Sequence, residues 1–125
     1  MSLLNRLIGN AAEVDAADMQ EEFARILADG EVVERAFALI RDAMLFTNRR
    51  LILIDKQGVT GSKVEYHSLP YRAVTHFSVE TAGHFELDAE LKIWVSGRAE
   101  PFAQPFKRGL SIYVVQGVLA SYVCR

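Results

Sequence analysis

The most constraining feature of this sequence is an alternation of polar and apolar side chains that begins near residue 32. Between Glu86 and Val95, four charged residues and Trp94 fall on one face of an extended chain, and aliphatic residues fall on the other. Such alternation is typical of a β-strand with one buried face. Further strand candidates are residues 33–40, 43–47, 50–55, 63–69, 75–80 and 100–106. Seven short strands with Gly, Asn and Pro in the connections predict an antiparallel barrel or sandwich.

The segment before the strands has a helical period instead. Met19, Phe23, Ile26 and Leu27 form one apolar stripe, and Leu3, Leu4, Leu7 and Ile8 form a shorter stripe. Asp15 or Asp18 can cap the second helix, and Gly30 suits its end. We therefore predict an N-terminal helical hairpin over residues 1–30, with a break at residues 9–10, followed by one barrel domain over residues 31–125.

The C-terminal segment also follows a helical stripe. Ile112, Val115 and Leu119 recur at the helical period after Gly109, although the many valines weaken helix propensity. A helix placed after the last strand can plug an open end of a small barrel. The predicted fold class is therefore mainly β with helices: a seven-stranded antiparallel barrel capped by a C-terminal α-helix.

Composition narrows the function classes. The 125 residues carry 14 basic and 16 acidic side chains, and the net charge of −2 argues against a nucleic-acid binder that relies on bulk positive charge. The single cysteine, Cys124, fits a reducing compartment. No apolar run has the length and character of a secretory signal or a membrane span, so we expect a cytoplasmic protein.

The residues that could carry chemistry do not form a catalytic or ligand-binding set. Residues 58–63 resemble a phosphate loop, but Ser precedes Lys and a strand follows, so a turn is the better interpretation. His67, His76 and His84 lack metal-ligand spacing. Glu86, Asp88 and Glu90 share a strand face that can hold a hard cation or simply face solvent. We predict no enzyme activity, no cofactor and no metal site.

Some strands are apolar on both faces, which predicts a further layer of structure. Residues 51–54 read Leu-Ile-Leu-Ile, and residues 44–46 repeat the pattern. The N-terminal hairpin or a second subunit can supply this layer, and we prefer a second subunit because exposed apolar surfaces often mark interfaces. The predicted oligomer interface consists of Ile52, Ile54, Trp94 and Tyr113.

Basic residues cluster near predicted turns. Arg49, Arg50 and Arg72 are the candidates for an anion-binding site that would take a lipid headgroup or a phosphopeptide if the turns converge. The alternative interpretation is that these arginines are solvated turn residues.

Several blocks in order resemble the bacterial pleckstrin-homology-like (PH-like) family, formerly a domain of unknown function. These blocks are FTNRRLILID at 46–55, QGVTG at 57–61, SLPY at 68–71, FSVETAG at 77–83, ELKIWVSG at 90–97 and IYVVQ at 112–116. The resemblance implies a seven-stranded barrel capped by a helix and assembled into homo-oligomeric rings, with pentamers expected, and it implies no enzyme activity or established ligand. In eukaryotic relatives that bind phosphoinositides, a basic cluster joins the first two strands, whereas here that connection is only Arg41-Asp42.

Two function hypotheses follow. The first is a non-catalytic scaffold that forms a homo-oligomeric ring and binds a protein or peptide partner. The second is a peripheral membrane adaptor that binds anionic headgroups weakly through the basic turns. The excess of acidic residues near the N-terminus favours the first, because anionic lipid repels negative charge.

Overall fold

The strands that the structure describes form two sheets. The computed structural model describes residues 12–39, 42–57, 63–81, 89–106 and 112–125. The chain divides into two compact units, Met1–Leu69 and Pro70–Arg125. The described strands form a sheet of five and a sheet of three, so the expected single seven-stranded barrel is wrong in that detail. The division after Leu69 falls inside the predicted barrel domain, and the predicted boundary at residues 30–31 remains a prediction.

The five-stranded sheet belongs to the first unit. Its strands, in spatial order, are β1 (Ala12–Val14), β2 (Val33–Ala38), β3 (Ala43–Thr47), β4 (Arg50–Gln57) and β5 (Lys63–Pro70). Strand β1 was not predicted, because three residues are too short to show an alternation. It pairs antiparallel with the end of β2, so that Ala12 is opposite Ala38 and Val14 is opposite Ala36.

A helical segment packs on one face of this sheet. Helix α1 (Ala16–Glu22) begins after Asp15, whose side chain accepts a hydrogen bond of 3.0 Å from the amide of Asp18. A 3₁₀ turn (Ala24–Ile26) follows α1 directly. The predicted second helix therefore exists but is short, and the first helix of the predicted hairpin lies outside the described residues. Gly30 has the expected positive φ of 77°, but it closes a turn instead of ending the helix.

The core of the first unit explains the two-sided apolar strands. Met19 of α1 packs with buried residues that share one face of β2, β3 and β4, including Leu45 and its cross-strand partner Ile52. On the opposite face, Phe37 and Phe46 are also buried, with ring centroids 5.9 Å apart in an edge-to-face arrangement. Both faces of β3 are thus buried within one chain.

The second unit carries the three-stranded sheet and the C-terminal helix. A 3₁₀ turn (Tyr71–Ala73) leads into β6 (Val74–Thr81), which pairs with β7 (Ala89–Val95), and β7 pairs with β8 (Phe102–Phe106), both antiparallel. Helix α2 (Ile112–Val123) buries Ile112, Val115, Val118 and Leu119, as the stripe predicts. Tyr71 stacks on Tyr122 of α2 with ring centroids 4.7 Å apart. The predicted C-terminal helix is therefore confirmed.

Candidate functional site

A buried ion pair joins the loop before β2 to the start of β4. The Nε and one terminal nitrogen of Arg50 each donate to a different oxygen of Glu31, both at 2.9 Å. The Glu31 carboxylate also accepts from the hydroxyl of Thr47 at 2.6 Å and from the amide of Ala28 at 2.9 Å. Only 1% of the Glu31 side chain is exposed. We call this group of four residues the Glu31–Arg50 clamp.

The clamp fixes the charge state of Glu31. The guanidinium of Arg50 lowers the pKa of Glu31 from 4.5 to about 2, assisted by the donors of Thr47 and Ala28 and opposed by burial. In return, the Glu31 carboxylate raises the pKa of Arg50. Both groups are therefore ionised at neutral pH. A carboxylate with such a low pKa is poorly suited to general-base chemistry, and we interpret the clamp as structural.

Arg50 has further partners that complete the clamp. Its terminal nitrogens donate to the hydroxyl of Ser68 at 2.7 Å and to the carbonyl of Ile26 at 2.6 Å. One side chain thereby connects the 3₁₀ turn after α1 with strands β4 and β5. Four of the five N–H donors of the guanidinium are thereby used within the chain, which leaves little capacity for an external anion.

The three arginines predicted to bind anions have different environments. Arg50 is held in the clamp, and its neighbour Arg49 is exposed and donates to the carbonyl of Asp29 at 3.0 Å. Arg72 is an exposed residue of the 3₁₀ turn in the second unit. Within the first unit, the β3–β4 turn therefore offers Arg49 as its exposed cation. Sequence reasoning missed the clamp because no periodicity distinguishes Glu31 from the other acidic residues nearby.

The four residues predicted to form an oligomer interface also separate into two groups. Ile52 and Ile54 are 0% and 1% exposed and belong to the core beside Met19, so these side chains have no surface to offer a second subunit. Tyr113 is 53% exposed. Trp94 is half-buried, and its indole stacks on the ring of His76 with centroids 4.3 Å apart. The prediction of an interface therefore rests on Trp94 and Tyr113.

Helix α2 presents an uncharged outer surface. Its twelve residues contain no acidic or basic side chain, and Tyr113 and Val114 are 53% and 43% exposed near its start. Gly117 and Ser121 are exposed further along the helix. A solvent-facing helix surface usually carries charged side chains, so this surface is unusual for a helix that faces only water.

The candidates for metal chemistry lie only partly within the described residues. Among residues that the structure describes, no three His, Cys, Asp or Glu side chains are grouped to hold a metal ion. His67 is on β5 and His76 is on β6, while His84, Glu86 and Asp88 lie outside the described residues, as does most of the phosphate-loop-like segment. In the same described part of the chain, no helix is long and apolar enough to cross a membrane.

The sequence and the fold are similar to several known proteins. The chain is 54% identical over 125 residues to the uncharacterized protein YjqA of Bacillus subtilis (strain 168), and the aligned region covers 99% of each chain. A pleckstrin homology domain from Shewanella amazonensis SB2B is 52% identical, with a TM-score of 0.82 over 96% of this chain and 97% of that chain. A DUF1696 family protein with a pleckstrin-homology domain from Shewanella loihica PV-4 is 51% identical, with a TM-score of 0.79 over 92% and 98% of the two chains.

A family model confirms what the sequence blocks suggested. The model described as "Bacterial PH domain" matches residues 2–123, which is nearly the whole chain. The expected PH-like fold, mainly β with helices, is thereby confirmed in its general form. With its matched sequence and its similarity to solved pleckstrin-homology domains, this chain belongs to the bacterial PH domain family.

Proposed function

We propose that this domain is a non-catalytic scaffold that assembles into a homo-oligomeric ring, with a pentamer expected, and binds a protein or peptide partner. The observation that carries the proposal is the uncharged outer surface of α2, where Tyr113 and Val114 are exposed. Tyrosine and other aromatic residues are enriched at interfaces, whereas charged residues are depleted at interface cores. Burial of this surface against another subunit would remove it from water.

A ring places a requirement on the surface of each subunit. Closed rings of more than two subunits use heterologous contacts, in which two different patches of each subunit meet. We propose Tyr113 and Val114 on α2 as one patch, and Trp94 with the stacked His76 as the second. The stacked pair is a flat aromatic surface at the end of an otherwise polar strand face, where Ser78 lies opposite Lys92.

The mass of the assembly tests this proposal. Light scattering coupled to size-exclusion chromatography should show a mass larger than that of a dimer at micromolar concentration. Val114→Glu should reduce that mass, because a carboxylate buried at a subunit contact is costly. Val32→Glu is a matched control, since Val32 is similarly exposed, at 49%, and lies in the first unit. A monomeric wild type, or equal masses for both variants, would contradict the proposal.

The membrane-adaptor alternative has less support. Of the two adjacent arginines at the β3–β4 turn, Arg50 makes four hydrogen bonds within the chain. Each exposed cation contributes only about 1 kcal/mol at an anionic surface, so one turn gives weak binding. Co-sedimentation with anionic vesicles at low salt separates the two hypotheses. Arg49→Glu is the appropriate variant, because Arg50→Glu would also break the clamp.

A further inference from the structure

The first unit has an open groove where its sheet face emerges from beneath α1. Met19, Phe23 and Ile26 of the helical segment pack with a core formed by β2, β3 and β4, and Val64 of β5 is partly buried against the same core. The groove has a volume of about 440 Å³. Its lining residues come from the end of α1 and from the two strands: Glu22, Phe23, Arg25, Ile54, Lys56, Val64 and Tyr66.

The floor of the groove is apolar and its sides are aromatic. Ile54 is 1% exposed and lies beneath the surface, so the half-buried Val64 supplies the accessible aliphatic part of the floor. Phe23 and Tyr66 pack against each other edge to face in the lining, with ring centroids 6.3 Å apart and planes at 70°. Tyr66 is nevertheless 46% exposed, so a large part of an aromatic side chain still faces solvent. Burial of that surface by a partner is favourable, since apolar area contributes roughly 25 cal/mol per Å².

The charges around the groove favour an acidic occupant. Arg25 and Lys56 supply two positive charges, and Glu22 supplies one negative charge. The excess of one positive charge complements an anionic group placed beside the apolar floor. Arg25 is exposed, which leaves its guanidinium in reach of such a group.

The openness of the groove indicates a peptide and argues against a small molecule. Pockets for small molecules usually bury about 70–90% of the ligand, whereas here Tyr66 and Arg25 are exposed and Ile54 is the lining residue that is fully buried. An extended or helical segment can place one or two apolar side chains on such a floor while its backbone remains at the surface.

We propose that this groove docks a short peptide segment that carries large apolar side chains flanked by acidic residues. The inference rests on the proposed scaffold function and specifies the chemistry of its partner. The apolar side chains would lie on Val64 and on the exposed part of the Tyr66 ring, and the acidic side chains would face Arg25 and Lys56.

Peptides of opposite charge provide the test. The probes are acetyl-Glu-Leu-Phe-Leu-Glu-amide and its counterpart with lysine at both ends, each titrated to about 1 mM into the full chain labelled at isoleucine and valine methyl groups. The acidic peptide should shift the methyl resonances of Ile54 and Val64 and bind at least about threefold more tightly than the basic peptide. Arg25→Glu should remove or invert this preference. Arg72→Glu, an equal charge reversal in the second unit, should leave it unchanged.

A pair of tyrosine variants distinguishes the groove from the assembly surface. Tyr66→Ser should weaken binding of the acidic peptide and leave the mass of the assembly unchanged, whereas Tyr113→Ser should lower the mass and leave peptide binding unchanged. The absence of shifts at Ile54 and Val64 would overturn the groove proposal while leaving the ring untouched. Equal binding of the two peptides would also overturn it. A loss of mass in Tyr66→Ser would identify a second copy of the chain as the occupant and refute the peptide.

Discussion

Glu31→Gln is the substitution that most directly tests the role of the buried clamp. Glutamine keeps the shape of the side chain but removes the charge that Arg50 neutralises. The Arg50 side chain is only 24% exposed, and its guanidinium would lose its counterion. Removal of one partner from a buried pair is more damaging than loss of an exposed pair, because the remaining charge is poorly solvated. We therefore expect a large decrease in the free energy of unfolding.

The pKa of Glu31 gives the magnitude and its dependence on pH. A carboxyl group with a pKa of 4.5 in the unfolded chain and about 2 in the folded chain stabilises the fold by about 3 kcal/mol at neutral pH. Because the folded pKa is the lower one, this stabilisation is complete above about pH 5 and is lost as the pH falls towards 2. About half of it remains near pH 3.

Urea unfolding of both proteins between pH 7 and pH 2 measures this quantity. Glu31→Gln should be less stable than the wild type by about 2–3 kcal/mol at pH 7, and the difference should shrink below pH 4. Glu13→Gln is the matched control, because Glu13 accepts two hydrogen bonds from Arg35, at 2.6 and 3.0 Å, with 42% of its side chain exposed. Its loss should cost less than about 1 kcal/mol. Equal losses for the two variants, or a difference independent of pH, would refute the argument.

Three further perturbations test the packing and the backbone of the fold. Ile54→Ala should destabilise the protein by about 2–5 kcal/mol in a urea titration, since the side chain is 1% exposed; a loss below about 1 kcal/mol would mean that Ile54 is not part of the core. Gly30→Ala should lower the free energy of unfolding by about 1–2 kcal/mol in the same titration, because the φ of Gly30 is 77°. Gly117→Ala, in an open helical position, should increase that free energy slightly, and a change of the same sign for both variants would contradict the backbone argument. Asp15→Ala should lower the free energy of unfolding by about 1 kcal/mol, because the first turn of α1 loses its cap. Thermal melting measures this loss, and an unchanged melting temperature would show that the cap is unimportant.

The sequence predicted the strands well because their alternation is a local property. Five predicted strands begin within one residue of the observed β2 to β6, and the stripe of α2 coincides with its buried residues. Valine did not prevent α2 from forming, since burial of Val115 and Val118 outweighs the modest cost of β-branched residues in a helix. Local patterns thus sufficed wherever one face of an element is buried and the other is solvated.

The same patterns could not show how buried surfaces are covered. Alternation indicates that Ile52 and Ile54 have an apolar environment, but a core and a subunit interface have the same composition. The structure places Met19 of α1 against them, a contact between residues more than thirty positions apart. The Glu31–Arg50 clamp could not be predicted for a similar reason. The two residues of its ion pair, Glu31 and Arg50, are nineteen positions apart and belong to a loop and a strand. Sequence distance conceals such pairs.

The burial of Ile52 and Ile54 changes where an assembly surface should be sought. A strand that is apolar on both faces requires a second subunit only when the chain itself provides no cover, and α1 provides that cover on the Ile52 face. Besides Val32, the large apolar side chains that remain exposed in the described residues lie on two surfaces, with Tyr113 and Val114 on α2 and Tyr66 at the groove. One of these surfaces is uncharged and the other is bordered by Arg25 and Lys56. An uncharged surface suits a permanent contact, whereas charge at the border of a groove favours fast and selective encounter with a partner. This difference is the physical reason for proposing that assembly uses α2 and that a partner binds at the groove.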